Sequence, residues 1–223
     1  IVAELSANHN GKLENVFKAI RVAKKSGADA IKIQSYTPDT MTINSKKNDF
    51  LVKKGLWKGN TLYGLYKKAY TPFEWHEKIF KYAKKIGITC FSTPFDKTAV
   101  DLLEKLKTPV YKVASFEITD LELLDYIASK KKPIILSTGM ANINEIKEAI
   151  QTIKYKKNNK IILLHCVSGY PSPISEINLK TINDLRKKFN LHVGLSDHTL
   201  SNTASIVSVA YGSCLIEKHF KLN

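Results

Sequence analysis

Arginine is nearly absent. Of 35 basic residues only Arg21 and Arg186 are arginine, and the rest are lysine. Proteins that read nucleic-acid bases lean on the planar guanidinium fork, so its scarcity argues against base readout. The lysines fall along helical patterns, often as Lys-Lys pairs, with no interleaved aromatic stripe. That is the signature of a solvated helical surface. Cysteine is also scarce. Cys90, Cys166 and Cys214 are odd in number and lack C-x-x-C spacing, which excludes a disulfide framework or a thiolate metal centre. Each sits in an apolar run, and buried free thiols of a reducing cytoplasm are expected. No stretch approaches 18 consecutive apolar residues, so a transmembrane helix is excluded. No signal-peptide pattern, low-complexity tract or internal repeat is visible.

The 223 residues carry a formal net charge of +15, with 43% hydrophobic and 25% charged residues. Those proportions belong to a globular chain with room for one large core. The positive field suits a small anionic substrate. Opening on one apolar run and closing just after another, the chain reads as a segment of a longer protein.

Short β-branched apolar runs alternate with longer amphipathic stretches. Eight strands are expected, at 1–5, 30–33, 88–91, 110–114, 133–136, 161–166, 191–195 and 214–217. Helices are expected at 13–26, 72–86, 97–106, 120–130, 144–154, 176–189 and 201–211. In the first, Val16, Phe17, Ile20 and Ala23 share a face and Gly27 ends it. Asp120 and Asn144 are the expected N-caps of two others. Strands too apolar to face water, each followed by a helix, predict a parallel sheet covered by helices. Eight of them favour a closed (β/α)8 TIM barrel of a single domain, 1–223, with its final helix beyond this chain. The long connection 35–71, with Trp57, Tyr63 and Tyr66, is expected to cover or build a site.

In such a barrel the site forms at the C-terminal strand ends. Those ends carry Glu4, Lys32 and Gln34, Ser92-Thr93, Lys112 with Ser115 and Glu117, Ser137, His165 through Tyr170, Ser196 with His198, and Glu217-Lys218-His219. Lys32 and Lys112 interrupt apolar strands, which is expensive unless each ammonium is paired. Two lysines among hydroxyls suit a phosphate or carboxylate. His198 and His219, at neighbouring strand ends, can hold a divalent metal with positions left open. Glu4 and Glu117 can complete a metal shell, orient water or bind sugar hydroxyls. His9, His76 and His192 lack such support; His76 falls on a helix and His192 starts a strand.

The ordered set Glu4-Leu5-Ser6-Ala7-Asn8-His9-Asn10-Gly11, Ile31-Lys32-Ile33-Gln34, Ser92-Thr93-Pro94-Phe95, Tyr111-Lys112-Val113-Ala114-Ser115-Phe116-Glu117, Ser137-Thr138-Gly139-Met140, His165-Cys166, Tyr170-Pro171, Gly194-Leu195-Ser196-Asp197-His198-Thr199 and Glu217-Lys218-His219-Phe220 resembles the sialic acid synthase family. Glu-Leu-Ser-Ala-Asn-His-Asn, Tyr36-Thr37-Pro38-Asp39, Gly55-Leu56-Trp57 and Tyr70 through His76 look like the pseudaminic acid synthase branch.

The resemblance implies a barrel that condenses phosphoenolpyruvate with an open-chain N-acylated amino sugar, here a 2,4-diacetamido-2,4,6-trideoxy hexose. It implies Mn2+ or Mg2+ held by His198 and His219. Carried over, Lys32, Thr93, Lys112, Ser115, Ser137, Ser196 and His198 hold phosphoenolpyruvate. Ser168, standing where the neuraminate branch has asparagine, joins the substrate set. Glu117 and Tyr170 contact the sugar. Glu4, Lys112, Glu117 and His198 are the catalytic candidates. The resemblance also implies a cytoplasmic homodimer whose full-length subunit adds a C-terminal antifreeze-like domain. N-acetylneuraminate or legionaminate synthesis is the neighbouring alternative. A Schiff-base lyase using Lys32 or Lys112, and a non-catalytic basic barrel that binds nucleic acid, are readings of other classes.

Overall fold

A computed structural model describes residues 1–55 and 57–222. Leu56, within the Gly55-Leu56-Trp57 motif, and Asn223 lie outside the described residues. Eight parallel strands close into a ring in sequence order, with β8 hydrogen-bonded back to β1. They are β1 (Val2–Glu4), β2 (Ala30–Ser35), β3 (Thr89–Pro94), β4 (Tyr111–Val113), β5 (Ile134–Ser137), β6 (Ile161–Cys166), β7 (His192–Asp197) and β8 (Ile216–His219). The helices between them are α1 (Leu13–Lys25), α2 (Pro38–Met41), α3 (Leu62–Ala69), α4 (Phe73–Ile86), α5 (Lys97–Lys105), α6 (Leu121–Ser129), α7 (Ile143–Tyr155), α8 (Lys180–Phe189) and α9 (Thr203–Ala210). The expected (β/α)8 barrel is the observed one.

The two-residue period of a strand sorts its side chains between helices and barrel interior. Outward positions such as Ile31, Ile33, Tyr111, Val113, Leu136 and Leu163 are fully buried against the helices. The interior has two layers. Val2, Ala30, Phe91, Ile135 and Leu164 form a compact apolar lower layer. Two residues further along the same strands stand Glu4, Lys32, Thr93, Ser137 and Cys166. The apolar plug dries and supports the floor on which charged groups stand.

Local chemistry explains most boundaries. Asp120 caps α6 by accepting from the Leu123 amide at 3.0 Å. Gly87, at φ 74°, terminates α4 in the left-handed conformation that glycine adopts without strain. Several expectations are corrected. Asn142, not Asn144, caps α7, in a reciprocal box with Glu145. The helix expected from Glu176 begins at Lys180, because residues 174–176 form a separate 3-10 turn. The last helix is shorter than 201–211, covering Thr203–Ala210. In α1 the buried face is Val16, Ala19, Ile20 and Ala23, while Phe17 lies half-buried on Tyr82. Cys90 and Cys166 are buried, but Cys214 is exposed, since it precedes β8 rather than lying within it.

The connection 35–71 is not one long loop. Thr37 caps α2 through the Thr40 amide, with Pro38 in the first turn, and Thr61 caps α3 through the Gly64 amide. These two short helices pack together and bring Met41 and Tyr66 to the wall described next.

Candidate active site

A cavity of about 380 Å³ opens at the C-terminal mouth of the barrel. Its floor is an ion network. Lys32 Nζ lies 2.8 Å from Glu4 Oε2 and 3.2 Å from Glu217 Oε1, and donates to Thr93 Oγ1 at 3.2 Å. Lys112 Nζ donates to Ser137 Oγ at 2.7 Å and to the Val113 carbonyl at 3.0 Å, and stands 3.9 Å from Glu217 Oε1. Ser196 Oγ donates to that same Glu217 oxygen at 3.2 Å. The Ser6 amide donates to Glu4 Oε1 at 2.7 Å. Every ammonium in the floor is therefore compensated, which is how two lysines survive inside apolar strands.

The network separates the charges. Burial opposes ionisation of Glu217, but Lys112 and Lys32 outweigh it and hold the carboxyl down to about 2. Burial likewise opposes the Lys32 ammonium, and the two carboxylates outweigh it, so its pKa is raised. Burial lowers Lys112, with only partial relief from Glu217. Burial raises Glu4 despite Lys32. The two lysine ammoniums face an open cavity, an arrangement that can attract a small anion.

One rim holds the imidazoles. The ring centroids of His198 and His219 are 5.6 Å apart. His198 Nδ1 lies 2.8 Å from the Val167 carbonyl, which only accepts, so Nδ1 carries the proton. Nε2 is left with its lone pair, 3.2 Å from the Tyr170 hydroxyl. Burial lowers both imidazoles, His219 to about 4 with added repulsion from Lys32, so both rings are neutral at pH 7. Behind them, Lys218 Nζ donates to Asp197 Oδ2 at 2.8 Å and to the Thr199 and Ser201 carbonyls at 2.7 and 3.1 Å. That cluster fixes the loop that carries His198.

Among the described residues no group of three or more His, Cys, Asp or Glu forms a metal-binding set. The two-histidine pair still fits a divalent ion. Its rings are neutral, and the hydrogen bond from Nδ1 fixes the tautomer that points a lone pair into the cavity. The remaining coordination positions have to come from water or substrate oxygens.

The other rim is apolar and acidic. Tyr36, Met41, Tyr66, Phe95 and Phe116 line it, with Tyr36 packed edge-on against Tyr66 and Phe95. Glu117 stands among them. Its Oε2 is buried without a hydrogen-bond partner among the described residues, and burial pushes the carboxyl up to about 7.

Glu4, Lys32, Lys112, Ser115, Glu117, Ser137, Tyr170, Ser196, His198 and His219 all line the one cavity. Two sequence candidates do not. Thr93 is fully buried behind Lys32, and Ser168 is reached through Ser115, whose hydroxyl lies 2.8 Å away. Sequence reasoning placed Glu217 at a strand end but gave it no role as the bridge between both lysines, and gave none to the wall residues Tyr36, Met41, Phe95 and Phe116. The demand for a partner to each buried lysine was the available signal for Glu217.

This site has known counterparts. The NeuB family model matches residues 19–223. The chain belongs to the NeuB family. Pseudaminic acid synthase from Campylobacter jejuni subsp. jejuni serotype O:23/36 is 50% identical over 223 residues, which are all of this chain and 65% of that synthase. This NeuB-family chain thus spans just under two thirds of that relative's length. N,N'-diacetyllegionaminic acid synthase from Campylobacter jejuni subsp. jejuni serotype O:2 is 42% identical, covering 100% of this chain and 67% of that protein. Among solved structures, N-acetylneuraminic acid (sialic acid) synthetase from Leptospira borgpetersenii, in complex with citrate, superposes with a TM-score of 0.89 at 31% identity. The match covers 100% of this chain and 73% of that one. These relatives make the NeuB chain part of a biosynthetic synthase family. No described helix is long and apolar enough to cross a membrane.

Proposed function

We propose that this barrel condenses phosphoenolpyruvate with the open-chain form of a 2,4-diacetamido-2,4,6-trideoxy hexose, as a pseudaminic acid synthase. The observation that carries the reading is the pairing of Lys32 and Lys112 through Glu217 beside two neutral imidazoles in a NeuB-family barrel. Phosphoenolpyruvate brings a phosphate and a carboxylate, and the two ammoniums with the Ser115, Ser137 and Ser196 hydroxyls supply charge and directional donors for both. Thr93 acts by holding Lys32, and Ser168 by holding Ser115. The enol carbon attacks the sugar aldehyde, water adds to C2, and phosphate leaves with its bridging oxygen. The developing charge at C2 falls beside Glu4 and Glu217. Glu117 and Tyr170 lie where they orient the acceptor.

His198 and His219 are the residues that would hold Mn2+ or Mg2+, which when bound supplies Lewis-acid polarisation of the aldehyde oxygen. A cytoplasmic setting, a homodimer and a C-terminal antifreeze-like domain in the full-length protein belong to the same reading.

The deciding experiment is mass spectrometry of the product formed by the intact protein from phosphoenolpyruvate, manganese and each candidate sugar. The 2,4-diacetamido-2,4,6-trideoxy hexose is expected to give the condensed nine-carbon acid with stoichiometric phosphate. Turnover of only N-acetylmannosamine or the legionaminate precursor reassigns the acceptor. Borohydride trapping with pyruvate, without response to chelator, would replace the reading with Schiff-base chemistry at Lys112, whose lowered pKa suits an amine nucleophile.

A further inference from the structure

A second cavity of about 310 Å³ adjoins the first. Met41, Phe95, Phe116 and Glu117 line both, so these four side chains form a partition between an inner chamber and an outer pocket. Beyond the partition stand Thr40, Thr119 and Asp120. Thr40 is held by its bond to Asp96 Oδ2 at 2.8 Å, and Asp120 by its cap bond to the Leu123 amide. Glu117, Thr119 and Asp120 sit on the 3-10 turn Glu117–Thr119 and the start of α6.

The two chambers differ in charge. Lys32 and Lys112 line the inner one, with Glu4 and Glu217 beside them, while among the described residues no lysine, arginine or histidine lines the outer one. An anionic group therefore belongs inside, and the outer pocket suits a neutral group. That group needs an N–H for the unpaired Glu117 oxygen, a carbonyl for a hydroxyl such as that of Thr119, and an apolar tip for Met41 and Phe116. An acylamino group has all three.

We propose that the outer pocket receives the acylamino arm of the acceptor sugar that lies farther from the reacting aldehyde, with Glu117 hydrogen-bonding its amide. The inference rests on the condensation reading above and names the part of the acceptor that the partition selects. It makes Thr119 a specificity-determining residue, because a larger side chain there fills the pocket without entering the lysine floor.

The test uses the intact protein and three acceptors: the diacylated sugar, an analogue lacking the distal acylamino group, and an analogue with that acyl group lengthened to butanoyl. Wild type is expected to accept the lengthened distal arm within about threefold in kcat/KM, since the pocket has room beyond an acetyl. In Thr119→Trp, the ratio of kcat/KM for the lengthened acceptor to that for the truncated one should fall roughly tenfold or more, the size of discrimination a pocket wall gives. Thr119→Leu gives the same direction with a smaller change, should the tryptophan variant fail to fold. Ratios unmoved in both variants, or a wild type that rejects any distal lengthening, overturn the assignment. If wild type condenses no amino sugar with phosphoenolpyruvate, the functional reading itself fails; if it condenses them with unmoved ratios, only the outer-pocket inference fails.

Discussion

The ammonium of Lys32 and the carboxylate of Glu217 stand 3.2 Å apart, both nearly inaccessible to solvent, although they come from the second and last strands of the barrel. The lysine floor is thus a structural element, and its removal has a stability signature.

Lys32→Met should destabilise the fold by about 3 kcal/mol, because it strips the buried Glu4 carboxylate of its ammonium and leaves Glu217 only Lys112, 3.9 Å away. Adding Glu217→Gln to that variant should restore part of the loss, a coupling that a double-mutant cycle reads directly. Urea unfolding at pH 7 measures both. A single-variant loss well under 1 kcal/mol would show that the pair carries no net compensation.

Glu117 gives a pH-dependent prediction. Burial raises its folded-state pKa to about 7, above its ordinary value of 4.5. The charged form is disfavoured in the fold, so the group opposes folding increasingly as pH rises from about 4.5 to 7. Glu117→Gln should therefore leave stability unchanged at pH 4 relative to wild type. It should gain roughly 2 kcal/mol above pH 7.5, discounted from the full linkage value for residual solvation. Denaturation curves across that window test it, and a gain confined to acid pH would have the wrong sign.

His198→Ala and His219→Ala should each weaken Mn2+ binding by at least about tenfold, read by calorimetry. Lys218→Met should weaken it by a comparable factor without touching an imidazole, because it frees the loop pinned by Asp197. Lys218→Arg should recover most of the affinity. If Lys218→Met binds the ion like wild type, the loop needs no such clasp.

Gly194 lies inside β7, where a methyl group would sit 2.2 Å from the Leu215 carbonyl oxygen and 2.8 Å from Leu164 Cδ2. The first neighbour is backbone and has no rotamer to give. Gly194→Ala should cost roughly 3 kcal/mol, at the upper end for overpacking. A melting temperature within a degree of wild type would contradict this.

The barrel and most of its site were legible because apolar strands interrupted by lysine announce themselves. Lys32 and Lys112 break β-branched runs, and physics demands partners for them. Which partners they have was not legible, since Glu217 reaches them only through the register that closes β8 onto β1. The wall was hidden for another reason. Met41 and Tyr66 lie on α2 and α3, which are too short to show periodicity and are marked only by the Thr37-Pro38 and Thr61 caps, while Tyr36, Phe95 and Phe116 lie in connections that have no periodicity at all. Cys214 and Thr93 show the limit of reading a strand by composition, because a shift of one or two positions decides between solvent, chamber and interior.

Ring closure has a temporal consequence. The first strand meets the last through Val2↔Glu217, Ala3↔Lys218 and Glu4↔His219. Until those residues have left the ribosome and docked, Lys32 has Glu4 but not Glu217, and His198 has no companion. A nascent chain stalled before its eighth strand therefore holds only half of the buried ion network and one of the two imidazoles.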